Sequence, residues 1–293
     1  MFDATSPGRI ACSLVAAFAL VSTAARAENA AFLEVDPTVS TLTTILCVQG
    51  ECSEDTHPVV GEIVLALDCG EPPTQAAVRD FRLAATTNHV AFLDFGFGGK
   101  VNALVADLGI RRHDAASIPV PVPLSPTNVV FRKLTNDLAG TIDYRASGLA
   151  CALLQIAGLK CEDRIDLGSR PPNVVDELPA TWTLEDGVLR ISGTFSFRED
   201  IDTEHPEIGY VGGRAKLSAS GRLRPLLHMH PSSDRLEFRW CQAFPSARLE
   251  VSSALTGEPW LPHSATPEAS GTEWTVRVPE PTAATFYRLR VDP

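Results

Sequence analysis

The stretch Thr181-Trp-Thr-Leu-Glu-Asp-Gly-Val-Leu-Arg-Ile191 is two alternating runs joined by Asp-Gly. Asp186 and Gly187 tolerate the positive φ angles that a two-residue hairpin turn requires, and Leu184 and Val188 flank that turn. A β-hairpin is predicted, and the same signals extend outward from it. On the C-terminal side they cover 188–197 and 214–223; on the N-terminal side they cover 41–47, 61–67, 78–84, 89–95, 101–108, 129–134, 140–145 and 180–184. These runs are rich in β-branched residues and broken by Gly, Pro, Asn and Asp, and no long 3.6-residue period competes with them. The expectation is an all-β chain whose residues 28–224 form an antiparallel barrel or sandwich.

Three stretches interrupt the strands. Residues 118–126 carry a proline at nearly every second position, which removes ladder donors and predicts an extended connector or edge. Residues 147–159 (SGLACALLQIAGL) can form a short helix, and 169–179 read as a proline-rich loop. Gly96-Phe-Gly-Gly99 follows a strand with no helix after it, so it reads as a hairpin tip and not as a phosphate cradle.

Near Leu223 the composition shifts. Residues 225–233 hold two prolines and a polar cluster and read as a linker. Beyond it, 234–293 contain Trp240, Trp260 and Trp274 with strand signals at 236–241, 248–253, 260–264, 273–278 and 285–291. A small β-sandwich with a dense aromatic core is expected there.

At the other end, Arg9 precedes an apolar run over 10–25, and Ala25-Arg26-Ala27 offers a cleavage site before Glu28. Residues 1–27 therefore read as a secretory signal peptide, and no stable membrane insertion is expected of the remainder. Cys12 leaves with that segment; Cys47, Cys52, Cys69, Cys151, Cys161 and Cys241 remain, an even set in an exported chain, which favours disulfides. Cys47 with Cys52 and Cys151 with Cys161 would be local staples. Cys69 and Cys241 would then either tie the two regions together or stay as buried thiols.

The run Leu236-Glu-Phe-Arg-Trp240, with Arg248-Leu-Glu-Val-Ser-Ser-Ala-Leu255, Pro259-Trp260 and Thr285-Phe-Tyr-Arg-Leu-Arg-Val291, resembles a C-terminal module common in exported proteins of environmental bacteria. That resemblance implies a fibronectin-III-like or immunoglobulin-like fold; Cys241 stands where such a module has a small residue. For the first domain, Glu34-Val-Asp-Pro-Thr-Val-Ser-Thr-Leu42 followed by Gly61-Glu-Ile-Val-Leu-Ala-Leu-Asp68 looks distantly like the start of YceI-type proteins. Those are antiparallel barrels, similar to lipocalins, that enclose an apolar ligand.

A net charge of −11 repels phosphate backbones and argues against nucleic acid as a partner. No GxSxG, HExxH, GxGxxG or GxxxxGK[ST] motif occurs. Glu199, Asp200, Asp202, Glu204 and Glu207 gather carboxylates on one loop, a weak calcium candidate and otherwise a solvated acidic turn. His228 and His230 share a face if extended, with His205 or His263 as possible companions, although exposed linker histidines explain them as well. Asp94, Asp107, Asp143 and Glu185 are carboxylates on or beside strands, and Phe92, Phe95, Phe97, Phe131, Phe195 and Phe197 can line a cavity or fill a core. The expected function is that of an exported, non-enzymatic binding protein for an apolar ligand or a surface partner. The alternatives are a secreted hydrolase of polysaccharide or ester with an accessory module, and a structural envelope component. Oligomeric state is open.

Overall fold

A computed structural model of the chain describes residues 28–115, 119–156, 158–201, 206–231, 235–281 and 284–291. The predicted signal peptide lies outside them. Among the described residues, twelve strands form one antiparallel sheet. They are β1 (Asn29–Val35), β2 (Thr41–Val48), β3 (Glu51–Leu67), β4 (Gln75–Ala85), β5 (His89–Asp94), β6 (Lys100–Arg112), β7 (Val122–Pro123), β8 (Asn128–Ala146), β9 (Glu162–Asp166), β10 (Asn173–Glu185), β11 (Val188–Asp200) and β12 (Gly209–Pro225).

The sheet closes on itself. β1 and β2 lie end to end between the same two neighbours: β1 pairs with Glu62–Leu67 and Ala219–Pro225, β2 with Glu51–Pro58 and Gly209–Lys216. That composite stave is followed by β3, β4, β6, β8, β10, β11 and β12, each paired with the next, and β12 returns to the first. The result is an up-and-down barrel of eight staves, a size whose interior is filled by side chains or holds one small ligand. Closure requires strongly coiled strands, and two register shifts supply the bend, at Val64/Leu65 in β3 and Ala106/Gly109 in β6. Opposite the second shift Gly140 takes φ +111°; a Cβ there would sit 2.5 Å from the Ala106 carbonyl oxygen, so β8 passes this point only as glycine. The runs expected at 129–134 and 140–145 are thus one long strand.

The hairpin at Asp186-Gly187 forms as expected, with φ of 51° and 71° and Glu185 opposite Val188. Trp182, Leu189 and Ile191 point from it into a core with Leu33, Leu65, Phe81, Val129 and Phe131. At the opposite end of the barrel, α1 (Gly148–Ile156) sets Ala150 and Leu154 against Val48, Leu93, Val101 and Ala146. The proline-rich connector contributes only the short edge strand β7, which pairs with Gln75 and Ala76 of β4.

The C-terminal region is a sandwich of a four-stranded sheet and a three-stranded sheet. The first contains β13 (His228–Pro231), β14 (Arg235–Cys241), β17 (Glu268–Ser270) and β18 (Glu273–Pro279); the second contains β15 (Ala247–Ser252), β16 (Leu261–Pro262) and β19 (Phe286–Val291). Phe238, Trp240, Val276 and Val278 from one sheet meet Ala247 and Leu249 from the other. Residues 228–231 differ from their sequence reading: they are not linker but the edge strand β13, paired with β14. Its Pro231 is tolerated because one edge carries no ladder. The connection between the two cores therefore shrinks to Leu226 and Leu227.

The six cysteines among the described residues are all paired, Cys47 with Cys52, Cys69 with Cys241 and Cys151 with Cys161, at Cα separations of 4.1, 5.1 and 4.9 Å. Of the two roles open to Cys69 and Cys241, the structure has the first: they join the barrel to the sandwich. Three disulfides mark a chain that matures in an oxidising, extracytoplasmic setting. No helix among the described residues is long and apolar enough to cross a membrane.

Candidate functional site

Side chains at alternate positions of each stave point inward, so the interior is lined by residues from nearly every strand. Midway along the barrel they leave a cavity of about 90 Å³, bordered by Ile63, Phe81, Ile110, Phe131, Leu178, Phe195 and Leu217 of seven successive staves. Two polar residues interrupt this wall. Ser192 has its hydroxyl paired with that of Thr181 at 2.8 Å, whereas Asn136 is 2% exposed and its Oδ1 has no hydrogen-bond partner.

The cavity lies where the wall parts. β10 and β11 pair only over Ala180–Glu185 and Val188–Gly193. Pro179 has no N–H to continue the ladder, so β10 stays with β8 while β11 follows β12 out to Asp200. Val175 and Leu178 on one lip face Gly193 and Phe195 on the other, all of them lining the cavity.

A second weak seam separates β3 from β5. β5 forms a ladder with β6, but towards β3 its N–H groups are received by side chains: Val90 donates to Asp55 Oδ2 at 2.7 Å and Phe92 to Ser53 Oγ at 3.1 Å. His57 Nε2 lies 3.0 Å from Asp55 Oδ2, and the His57 and His89 rings meet edge to face with centroids 4.6 Å apart. The Val90 N–H holds the Asp55 carboxyl below the usual carboxylate range; burial opposes this and His57 adds to it. Burial pushes the His89 imidazole down. Asp55 and His57 sit at even spacing from Val59 and Ile63 on β3, which places them on the lumen-facing side of that strand.

Neither a protein-family model nor a curated protein matches this chain.

The residues singled out in the sequence are dispersed. Phe131 and Phe195 line the cavity, Phe95 packs near α1, and Phe92, Phe97 and Phe197 are exposed. Asp94 pairs with Lys100 at 2.9 Å, Asp143 with Arg164 at 3.7 Å, Asp107 occupies the β6 bulge, and Glu185 is exposed beside the hairpin turn. Of the calcium candidates, Asp202 and Glu204 lie outside the described residues, as does the side chain of Glu199; Asp200 pairs with Arg198 at 3.1 Å, and Glu207 stands in the turn before β12. His228 and His230 lie on β13, His263 abuts the Tyr287 ring in the sandwich, and His205 is outside the described residues. Asp55, His57, His89 and Asn136 carried no sequence signal: Asp55 and His57 make a bare Asp-x-His pair that matches no motif, and His89 and Asn136 lie far from it in the chain.

Proposed function

We propose that the barrel binds a small apolar molecule bearing one hydrogen-bond donor, such as a hydroxyl, and that the chain is exported by cleavage of residues 1–27 to do so. The lumen cavity carries this reading: aliphatic and aromatic walls favour a hydrocarbon body, and the single unpartnered acceptor, Asn136 Oδ1, favours a ligand that donates to it. Entry is between β10 and β11, where the wall has no ladder to break. The resemblance of 34–42 and 61–68 to YceI-type barrels supports the same reading.

The test is titration of the processed chain with 1-hexanol and with hexane, followed by calorimetry or ligand-detected nuclear magnetic resonance. Saturable binding that prefers the alcohol is expected. Asn136→Leu should remove the preference, and Ala219→Phe, which fills the lumen, should remove binding of both. Absence of saturable binding, or binding unaffected by Ala219→Phe, would overturn the proposal.

A further inference from the structure

Asp55 and His57 on β3 and His89 on β5 each offer one ligand atom, and these atoms all lie within 4.8 Å of one another. Donors held by one zinc ion at about 2.0–2.1 Å are on the order of 3.3 Å apart in a tetrahedron, so the widest separation here exceeds that spacing by no more than about 1.5 Å. Asp55 Oδ2 and His57 Nε2, 3.0 Å apart, are already there.

His89 distinguishes this cluster from a surface ion pair. It is 0% exposed. Its Nδ1 lies 3.2 Å from Thr44 Oγ1 and 3.3 Å from the Asp55 carbonyl oxygen. A carbonyl oxygen only accepts, and the Thr44 hydroxyl itself donates to that oxygen at 3.5 Å, which assigns the ring proton to Nδ1. Nε2 then carries the lone pair, and it is buried with no partner. A histidine anchored through one ring nitrogen to a carbonyl and a hydroxyl, with the other nitrogen bare, is the arrangement in which protein imidazoles bind metals. The Asp55 carboxylate is oriented in the same way, by the Val90 N–H at 2.7 Å. The perpendicular His57 ring reaches the cluster from a different direction.

From this geometry we infer that Asp55, His57 and His89 form a binding site for a divalent transition-metal ion, with Thr44 holding His89 in place. Two imidazoles and one carboxylate suit zinc and its first-row neighbours and disfavour calcium and magnesium, which select oxygen donors. Thiolate ligands are not available, since Cys47, Cys52, Cys69, Cys151, Cys161 and Cys241 are all in disulfides. Three protein ligands leave at least one coordination position for water or another small donor.

The experiment uses the untagged chain 28–293, stripped with chelator, titrated with Zn²⁺ by calorimetry and with Co²⁺ by visible absorption. The expected result is one equivalent bound, with Co²⁺ bands that Zn²⁺ displaces. Because His89 is wholly buried, the decisive variants are His57→Gln and Asp55→Asn, whose side chains are 26% and 27% exposed; circular dichroism checks their fold. Each should weaken binding beyond the roughly 10–100-fold that loss of a supporting partner produces, and Thr44→Val should weaken it by about 10-fold. The double variant His228→Gln/His230→Gln should bind as the parent does. Failure to bind one equivalent, retention of binding in His57→Gln and Asp55→Asn, or its loss in the His228/His230 variant would each overturn the inference.

Discussion

The indole N–H of Trp182 donates to the Ser125 carbonyl oxygen at 2.8 Å, tying the Asp186-Gly187 hairpin to the proline-rich connector. The Trp182 backbone N–H also donates to the Thr127 carbonyl at 3.0 Å, so one residue holds the connector across the end of the barrel. Trp182→Phe keeps most of the apolar packing but strands the Ser125 carbonyl. A loss of about 1–3 kcal/mol is expected, read as a lower denaturant midpoint with unchanged far-ultraviolet circular dichroism.

Cys69 and Cys241 close a loop of 172 residues between the two cores. In the chain-entropy view a loop of that length restricts the unfolded state by on the order of 5 kcal/mol. The double variant Cys69→Ser/Cys241→Ser should unfold in two separate steps, the barrel reported by Trp182 and the sandwich by Trp240 and Trp274. A single coincident transition at lower stability would show that the cores depend on each other through packing alone.

The strand β13 relocates the start of the C-terminal module. A segment 226–293 with Cys241→Ala should be folded and β-rich, whereas 234–293 loses β13 and exposes the edge of β14. Comparing the two by circular dichroism and sedimentation checks this: aggregation is expected only of the shorter one.

Glu250 is 2% exposed on β15, and its carboxylate lies 2.6 Å from Arg288 and 3.4 Å from Arg290 on the paired strand β19. Removing both guanidinium partners would leave a buried charge. Arg288→Ala/Arg290→Ala is expected to destabilise the sandwich by about 3–5 kcal/mol, with the barrel transition unmoved.

His228 has its pKa lowered, chiefly by burial, then by Arg79 and His230, with Glu273 opposing. A histidine whose folded value lies below its unfolded value of about 6.5 binds fewer protons folded than unfolded. Stability is therefore complete above pH 6.5 and falls as the pH drops towards the folded value. Thermal melts from pH 7.5 to 5 should show the sandwich losing stability below about pH 6.5, and His228→Gln should flatten that slope.

What the sequence made legible was local. Alternation marks a strand wherever one face is apolar and the other polar, as at 188–197, and Asp186-Gly187 marks its own turn. The strands it missed fail that condition: β1 alternates buried and exposed over Ala31–Val35 but carries the apolar Phe32 on its exposed face, β9 (Glu-Asp-Arg-Ile-Asp) is charged along an open edge, β13 reads as polar linker, β17 is three exposed residues, and residues 173–179 of β10 read as proline-rich loop. The site was illegible for a related reason. His228 and His230 drew attention because they are two residues apart, while His57 and His89 are separated by a whole hairpin and meet only because β5 lies beside β3.

The amino-acid order by itself determined the all-β class, the hairpin at Asp186-Gly187, and a pairing of Cys47 with Cys52 that five residues of separation made local. Only the tertiary structure decided that the sheet closes into a barrel, that its wall parts at Pro179, and that Asp55, His57 and His89 share one corner. Period and turn chemistry act over a few neighbouring residues, and any chain that carries them shows them. Closure and convergence depend on the register between strands far apart in the chain, as where β1 meets β12 at Ala30 and Arg224, and that register is set by the packing of the whole interior at once.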